Sequence, residues 1–180
     1  MTGGIVKGKG VHIAVRAVNE VVKRGLLKVE LFVIGNADKK YLSKLKEYIN
    51  EQKLSDSIHI RGFVSDVAAY RKKADVCLVC SDCEGFGRVT IESMLAGLLV
   101  IGSDSGATTE LIKHNKTGLL YEKGNIESLA SCIECVGMNS LKYKEIAKNG
   151  QNWALQTFES TNYAEKIMNI WRGCIEKRFS

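Results

Sequence analysis

Two glutamates flank a glycine-bearing turn and are the residues best suited to bind a polar ligand. Glu84 directly precedes Gly85-Phe86-Gly87, and Glu92 lies eight residues after Glu84. The run from Val76 to Val79 predicts a buried strand before the turn, and the residues after it predict a helix that carries Glu92 about two turns in. Free backbone N–H groups at a helix N-terminus bind anions. A phosphate site between two acidic side chains suits a ligand with central phosphates and hydroxyls at both ends, as in a nucleotide-diphosphate sugar.

The spacing of the two glutamates argues against a hydrolytic acid/base pair. Eight helical residues span about 12 Å, whereas the carboxyl groups of glycoside hydrolases lie about 5–9.5 Å apart. Two separate ligand contacts fit this spacing better. The three histidines, His12, His59 and His114, are dispersed along the chain and are predicted to be structural or surface residues.

Composition indicates one globular domain with an anionic partner. The chain has 180 residues, of which 45% are hydrophobic and 26% charged, as in ordinary globular proteins. Its net charge of +6 favours a nucleotide, a phospholipid surface or a nucleic acid. Because the basic residues are scattered and aromatics make up only 7%, a base-stacking nucleic-acid surface is not expected. No apolar run approaches the length of a membrane span.

Five of the six cysteines have spacings that resemble metal knuckles: Cys77, Cys80 and Cys83, and then Cys132 and Cys135. However, an odd separation within a strand places Cys77 and Cys80 on opposite faces. The second pair lies one turn apart in a predicted helix, where cysteine is a common core residue. We therefore predict free thiols in a reducing cytoplasm and no metal site.

Apolar strands alternate with amphipathic helices along the chain. The predicted strands are Val29–Ile34, Ser57–Phe63, Val76–Val79, Leu98–Gly102 and Gly118–Tyr121. The predicted helices begin at Lys9-Gly10 and then cover Tyr41–Ile49, Val67–Lys73, the segment after Gly87, Thr108–Lys113, Ile126–Val136, Leu141–Leu155 and about 157–178. This order predicts an α/β fold, a Rossmann-like doubly wound parallel sheet. Ligands of such sheets bind beyond the carboxyl ends of the strands.

The motifs resemble those of a known enzyme family. The Glu-x7-Glu pattern from Glu84 to Glu92 follows Ala-Asp-Val and precedes SMLAGLLVIGSDSGATTELI. Together with Lys9-Gly10, IRGFV at 60–64 and NKTGLL at 115–120, it closely resembles the retaining glycosyltransferases of family 4, which have the GT-B fold. The resemblance covers nearly the whole chain, with the elements in the family's order.

The resemblance implies the C-terminal, donor-binding half of a GT-B enzyme. Residues 1–180 are then a single nucleotide-sugar-binding domain whose first strand is truncated, from a protein about twice as long. The last helix, with Trp171, is expected to pack toward a missing N-terminal domain, which would hold most of the acceptor.

The resemblance also implies roles for individual residues. Glu84 is expected to be the catalytic-site residue that binds the donor sugar's hydroxyls, Glu92 to bind the ribose, and Lys9 to neutralise the diphosphate as it leaves. The remaining expected donor-binding residues are Gly85, Phe86 and Gly87 near the sugar and diphosphate, Arg88 beside them, and Phe63 and Val64 at the base. The implied reaction is a front-face transfer with retention of configuration, in which neither glutamate is a nucleophile and no metal or other cofactor is needed.

Three positions depart from the family pattern. Gly4 stands where the family usually has a diphosphate-binding arginine. Either Lys7 or Arg88 compensates, with Arg88 the favoured substitute, or the diphosphate is bound more weakly. Leu99 replaces a usual proline, which we interpret as structural drift. Gly106-Ala107 replaces a common Gly-Gly pair, which puts donor contacts from that loop in doubt.

Alternative functions stay open at this point. A non-catalytic nucleotide-binding or regulatory module on the same fold would need neither glutamate, and a GT-B sugar-nucleotide epimerase would need an identifiable base. A dinucleotide oxidoreductase is disfavoured because no G-x-G-x-x-G follows the first strand. For the transferase, we expect an acceptor sugar or lipid-linked glycan, a role in cell-envelope polysaccharide biosynthesis, and a cytoplasmic location with possible peripheral contact at the inner face of the membrane.

Overall fold

The computed structural model describes residues 1–158 and Met168. The predicted final helix beyond residue 158, including Trp171, lies outside the described residues. None of the helices in the described part is long and apolar enough to cross a bilayer.

Strands and helices alternate as the sequence predicts, and the α/β class is confirmed. The strands are β1 Leu31–Ile34, β2 Ile58–Gly62, β3 Val76–Val79, β4 Leu99–Ser103 and β5 Leu119–Tyr121. A short 3-10 helix, Lys7–Lys9, precedes α1 Val11–Arg24; the other helices are α2 Lys39–Glu51, α3 Val67–Lys73, α4 Arg88–Leu95, α5 Ala107–Leu111, α6 Ile126–Met138 and α7 Ser140–Phe158. The first long helix begins at Val11 and not at Lys9-Gly10, because Gly10 adopts a left-handed conformation with φ 64°.

All paired strands are parallel, but the hydrogen bonds divide them into two sheets. β1 pairs with β2, and β4 lies between β3 and β5. Residues 1–5 run along the other edge of β1 through isolated bridges, Thr2 to Ile34 and Ile5 to Ala37. Gly3, at φ 129°, and Gly4 interrupt the extended backbone there, so this segment does not form a regular strand.

Within the described residues, the segment 1–5 is bridged to the first sheet and not to the second. β1 and β2 extend to one side of residues 1–5, whereas β3, β4 and β5 form the other sheet. A narrow crevice, lined by Gly3, Gly4, Val79, Cys80 and Ser81 among others, separates the two parts at the carboxyl ends of the strands. Ligands of open α/β sheets bind outside the carboxyl ends of the strands, which is where this crevice lies.

Apolar side chains cover both faces of the central strands. Cys80 belongs to the cluster that includes α1 and α6, whereas Cys77 belongs to the cluster with Met94 of α4 and Ala154 of α7. The predicted placement of these two cysteines on opposite faces is therefore confirmed. All five cysteines of the described part are free thiols.

The helix that follows the glycine turn is firmly anchored. Met94 of α4 is fully buried, and the side chain of Gln151 on α7 donates to the carbonyl of Leu95 at 2.9 Å, which caps the end of α4. A packed and capped α4 holds the turn at its beginning in one place.

Candidate functional site

Lys9 is positioned by the turn that ends the 3-10 helix. The N–H of Gly10 donates to the carbonyl of Lys7 at 2.9 Å. A Cβ at Gly10 would lie 1.9 Å from the carbonyl oxygen of Cys80, so the backbone at the start of α1 touches the end of β3. Only glycine combines this left-handed conformation with so close an approach. The contact sets Lys9 beside the loop that carries Glu84.

Glu84 is held by a lysine and a serine on the same oxygen. Lys9 Nζ donates to Glu84 Oε1 at 2.7 Å, and Ser81 Oγ donates to the same atom at 2.5 Å. The side chain of Glu84 is only 12% exposed, and that of Lys9 is 38% exposed. Within residues 1–158, Oε2 of Glu84 accepts no hydrogen bond, so one carboxylate oxygen is fixed and the other is available to a ligand.

The surroundings of Glu84 keep it ionised. Burial raises the pKa of this carboxyl group, but the hydrogen bonds from Lys9 and Ser81 and the charge of Lys9 outweigh it, so the pKa lies below the ordinary value of 4.5. Glu84 is therefore an acceptor of hydrogen bonds at neutral pH and not a proton donor.

This lowered pKa predicts a loss of stability in acid. The folded protein binds the proton of Glu84 less readily than the unfolded chain, so the carboxylate's contribution is fully present above about pH 4.5 and disappears as the pH falls through the lower folded-state pKa. We expect the free energy of unfolding of the wild type to fall toward that of Glu84→Gln over this range. Urea denaturation of both proteins from neutral pH down to about pH 3 measures the difference, and a pH-independent difference would contradict the lowered pKa.

The glycine turn opens directly into α4. Gly87 has φ 77° and precedes the first helical residue, Arg88. A Cβ at Gly87 would lie 2.5 Å from Leu111 of α5. The half-exposed ring of Phe86 makes an edge contact with Phe158 at the end of α7, with the centroids 6.5 Å apart. The first N–H groups of α4 have no partner within the helix, and the turn that precedes them is packed against α5 and the end of α7.

The Gly106-Ala107 loop lies against the backbone of Glu84. The N–H of Ala107 donates to the carbonyl of Glu84 at 2.9 Å. A Cβ at Gly106 would lie 2.7 Å from the same carbonyl oxygen. Ala107 therefore replaces the second glycine of the family's Gly-Gly pair. The first glycine, Gly106, is retained, and the close contact with the backbone of Glu84 requires it.

Glu92 lies nearer to the turn than the sequence predicts. Because α4 begins at Arg88, Glu92 is its fifth residue, and the helical rise between them is about 6 Å. The prediction of about two helical turns was wrong because the four-residue step from Arg88 to Glu92 makes little more than one turn. Arg71 of α3 donates from Nη2 to Glu92 Oε2 at 2.5 Å, and the glutamate side chain stays 47% exposed.

The other predicted donor contacts lie at exposed positions. Phe63 follows the end of β2 and is 74% exposed, and Val64 is half-buried beside it. Gly4, Lys7 and Arg88 are all exposed. Within the described part of the chain, neither Lys7 nor Arg88 forms an ion pair. The compensation of the missing arginine by Arg88 stays a prediction.

The three histidines lie apart and make separate contacts. His12 Nδ1 lies 2.9 Å from the hydroxyl of Tyr41, His59 Nε2 lies 3.1 Å from Glu30 Oε2, and His114 Nδ1 accepts from the N–H of Leu120 at 3.0 Å. Burial, together with nearby Arg16, lowers the pKa of His12. No group of three or more His, Cys, Asp or Glu side chains that could hold a metal ion is found across residues 1–158.

Two residues of the site do not stand out in the sequence. Ser81 is buried and precedes Glu84 by three residues, a spacing that could have suggested a hydrogen bond across the loop. Arg71 lies 21 residues before Glu92 on another helix, and no linear pattern connects the two.

The comparisons with known proteins agree on one family. The family model "Glycosyl transferases group 1" matches residues 1–153. The chain is 25% identical over 175 residues to the capsular polysaccharide biosynthesis glycosyltransferase CapM of Staphylococcus aureus; the match covers 97% of this chain and 46% of CapM. The chain thus spans about half the length of this curated relative.

Solved structures have the same fold as this chain, which spans about half the length of HepE. The crystal structure of Anabaena Alr3699/HepE in complex with UDP superposes with a TM-score of 0.87 and 26% identity, over 96% of this chain and 48% of HepE. The C-terminal domain of the group 1 glycosyl transferase LpcC from Francisella tularensis superposes with a TM-score of 0.78 and 25% identity, over 87% of this chain and 83% of that domain. The fold is one Rossmann-like half of a GT-B protein, and the chain belongs to the group 1 glycosyltransferases.

Proposed function

We propose that this chain is the donor-binding half of a retaining glycosyltransferase that uses a nucleotide-diphosphate sugar. The observation that carries the proposal is the carboxylate of Glu84. It is fixed on one oxygen by Lys9 and Ser81, is free on the other, and lies at a glycine turn that opens into a helix N-terminus. The UDP bound to HepE, a protein of the same fold, supports a nucleotide donor and makes UDP the first ligand to test.

The geometry suits stabilisation of a leaving diphosphate. The ammonium group of Lys9 has three donors, so it can keep its bond to Glu84 and also donate to a phosphate oxygen. The N–H groups of the first turn of α4 add partial positive charge at the same edge. Both act where negative charge grows as the glycosidic bond breaks.

Glu84 then has a positioning role toward the donor sugar. An ionised carboxylate accepts hydrogen bonds from hydroxyls, and its free Oε2 is the atom available for them. A carboxylate already bound to Lys9 and Ser81 is a weak nucleophile. This supports a front-face reaction, in which the acceptor's proton passes to the departing phosphate and the anomeric configuration is retained.

The remaining parts of the proposal concern the whole protein. We expect a preceding N-terminal domain to bind the acceptor, a sugar or lipid-linked glycan, on the cytoplasmic side of the membrane. The capsular polysaccharide role named for CapM supports a place in cell-envelope polysaccharide biosynthesis. We expect the transfer to need no metal or other cofactor.

The alternative functions are weaker. For an epimerase, a base in the site would be required, whereas the three histidines are engaged with Tyr41, Glu30 and a backbone N–H. A regulatory module would not need Glu84 and Glu92, and each of them is held by a cation in this structure.

Calorimetry with UDP, GDP and ADP tests the proposal. We expect one of the three to bind this chain, and Glu92→Ala and Lys9→Ala to weaken that binding. We also expect no sugar transfer by this chain, since the acceptor site is expected on another domain. Absence of binding at millimolar concentration would contradict a donor site formed by this chain, and measurable transfer to any acceptor would contradict the division between two domains.

A further inference from the structure

The ion pair between Arg71 and Glu92 joins two parts of the site that a nucleoside would contact together. Arg71 Nη2 lies 2.5 Å from Glu92 Oε2. Glu92 is the predicted ribose contact. Arg71 belongs to α3, which begins four residues after Phe63 at the predicted base-binding loop. The base and the ribose are adjacent in every nucleotide, so this ion pair spans the nucleoside half of the site.

Apart from the ion pair with Glu92, helix α3 makes few contacts with the rest of the described chain. None of its seven residues is buried, and its N-terminus is capped by its own Asp66, which accepts from the N–H of Ala69. A ring contact joins Tyr70 to Phe32, with the centroids 6.0 Å apart. In the described part of the chain, the pair with Glu92 is the only ion pair formed by α3. Arg71 is therefore the residue of α3 that connects it by an ion pair to α4.

The pair leaves Glu92 able to accept ligand hydroxyls. Its Oε2 is bonded to Arg71, while Oε1 accepts no hydrogen bond within residues 1–158, and 47% of the side chain is exposed. The Arg71 side chain is 17% exposed. The charge-assisted hydrogen bond from Nη2 holds Oε2 in place and so limits the directions in which the free Oε1 can point.

We propose that Arg71 is a positioning residue for the nucleoside: it orients Glu92 toward the ribose hydroxyls. This inference rests on the proposed function. It adds to that function a residue that determines how strongly the ribose hydroxyls contribute to donor binding.

The fold should tolerate replacement of Arg71. An ion pair with a half-exposed partner contributes little to stability. Moreover, Arg71 Nε is buried without a hydrogen-bond partner among the described residues, and an apolar side chain removes that unfavourable group. Arg71→Met keeps much of the length of the side chain and is the principal variant. Lys72→Met, at the exposed neighbouring position on the same helix, is the matched control.

The test compares a nucleoside diphosphate with its 2′,3′-dideoxy analogue by calorimetry, using whichever of UDP, GDP and ADP binds the wild type best. We expect Arg71→Met to weaken binding of the nucleotide about tenfold, because one charge-assisted hydrogen bond that orients Glu92 is lost. Binding of the dideoxy analogue should be unchanged or nearly so. Glu92→Gln should show the same pattern, and the double variant should be no weaker than either single variant. Arg71→Lys should restore part of the affinity, and Lys72→Met should match the wild type.

Two results would overturn the inference. One is an Arg71→Met protein that binds the nucleotide as the wild type does while Glu92→Gln weakens it. The other is an equal loss for the nucleotide and its dideoxy analogue, which indicates a structural role only. If none of the three nucleotides binds the wild type, the proposed function itself fails, and this outcome is distinct from both.

Discussion

Replacing Gly10 by alanine is expected to destabilise the protein by more than about 2 kcal/mol and to abolish donor binding. The left-handed conformation, with φ 64°, costs a residue with a Cβ about 1–2 kcal/mol. In addition, the new Cβ would lie 1.9 Å from the carbonyl oxygen of Cys80. Because the obstacle is backbone, the start of α1 must move away from the end of β3, and Lys9 moves with it. Urea denaturation and nucleotide calorimetry measure the two effects.

Gly25 provides a matched control for this substitution. It ends α1 with φ 64°, but no atom outside its immediate chain neighbours lies within 4 Å of the position a Cβ would take. Gly25→Ala therefore carries the conformational cost alone, about 1–2 kcal/mol, and should leave nucleotide binding intact. Equal destabilisation by the two substitutions would show that the contact with Cys80 relaxes freely and that Gly10 is not required for the position of Lys9.

Lys9→Met is expected to weaken binding of the nucleoside diphosphate by about 10- to 100-fold, because a hydrogen bond from a charged donor is lost. Two causes act together. The diphosphate loses its cationic partner, and the carboxylate of Glu84, now paired only with Ser81, repels the phosphates. The matching nucleoside monophosphate, with less charge to neutralise, should lose less. Calorimetry with both nucleotides gives the comparison.

A double substitution separates the two causes. If repulsion from Glu84 contributes, Lys9→Met with Glu84→Gln should bind the diphosphate better than Lys9→Met alone. Lys23→Met is the control, since Lys23 lies in the last turn of α1 and forms an exposed pair with Glu20. Wild-type affinity in the Lys9→Met protein would remove Lys9 from the site.

Local patterns were sufficient for most of the fold. The predicted strands match the five observed strands within a few residues. For β1 and β3 this follows because a strand covered on both faces must be apolar throughout. The odd separation of Cys77 and Cys80 placed them on opposite faces, as the two clusters confirm. Helix α4 begins at Arg88, directly after Gly87 as predicted, whereas α1 begins at Val11 and not at Lys9-Gly10. The left-handed Gly10 and its close contact with the backbone of Cys80 decide where α1 starts.

For the candidate site too, local features were predictable from the sequence and long-range contacts were not. The glycine turn with Glu84 before it and Glu92 after it can be read along the chain, because a strand, a turn and a helix N-terminus are local structures. The partners of those glutamates cannot: Lys9 lies 75 residues from Glu84 and Arg71 lies 21 residues from Glu92. Parallel strands bring such distant segments to one edge of the sheet, and ion-pair partners depend on that arrangement. The sequence by itself therefore determined the fold class and proposed the two acidic residues of the candidate site. The tertiary structure alone decided which cation holds each glutamate and which carboxylate oxygen has no hydrogen-bond partner among the described residues.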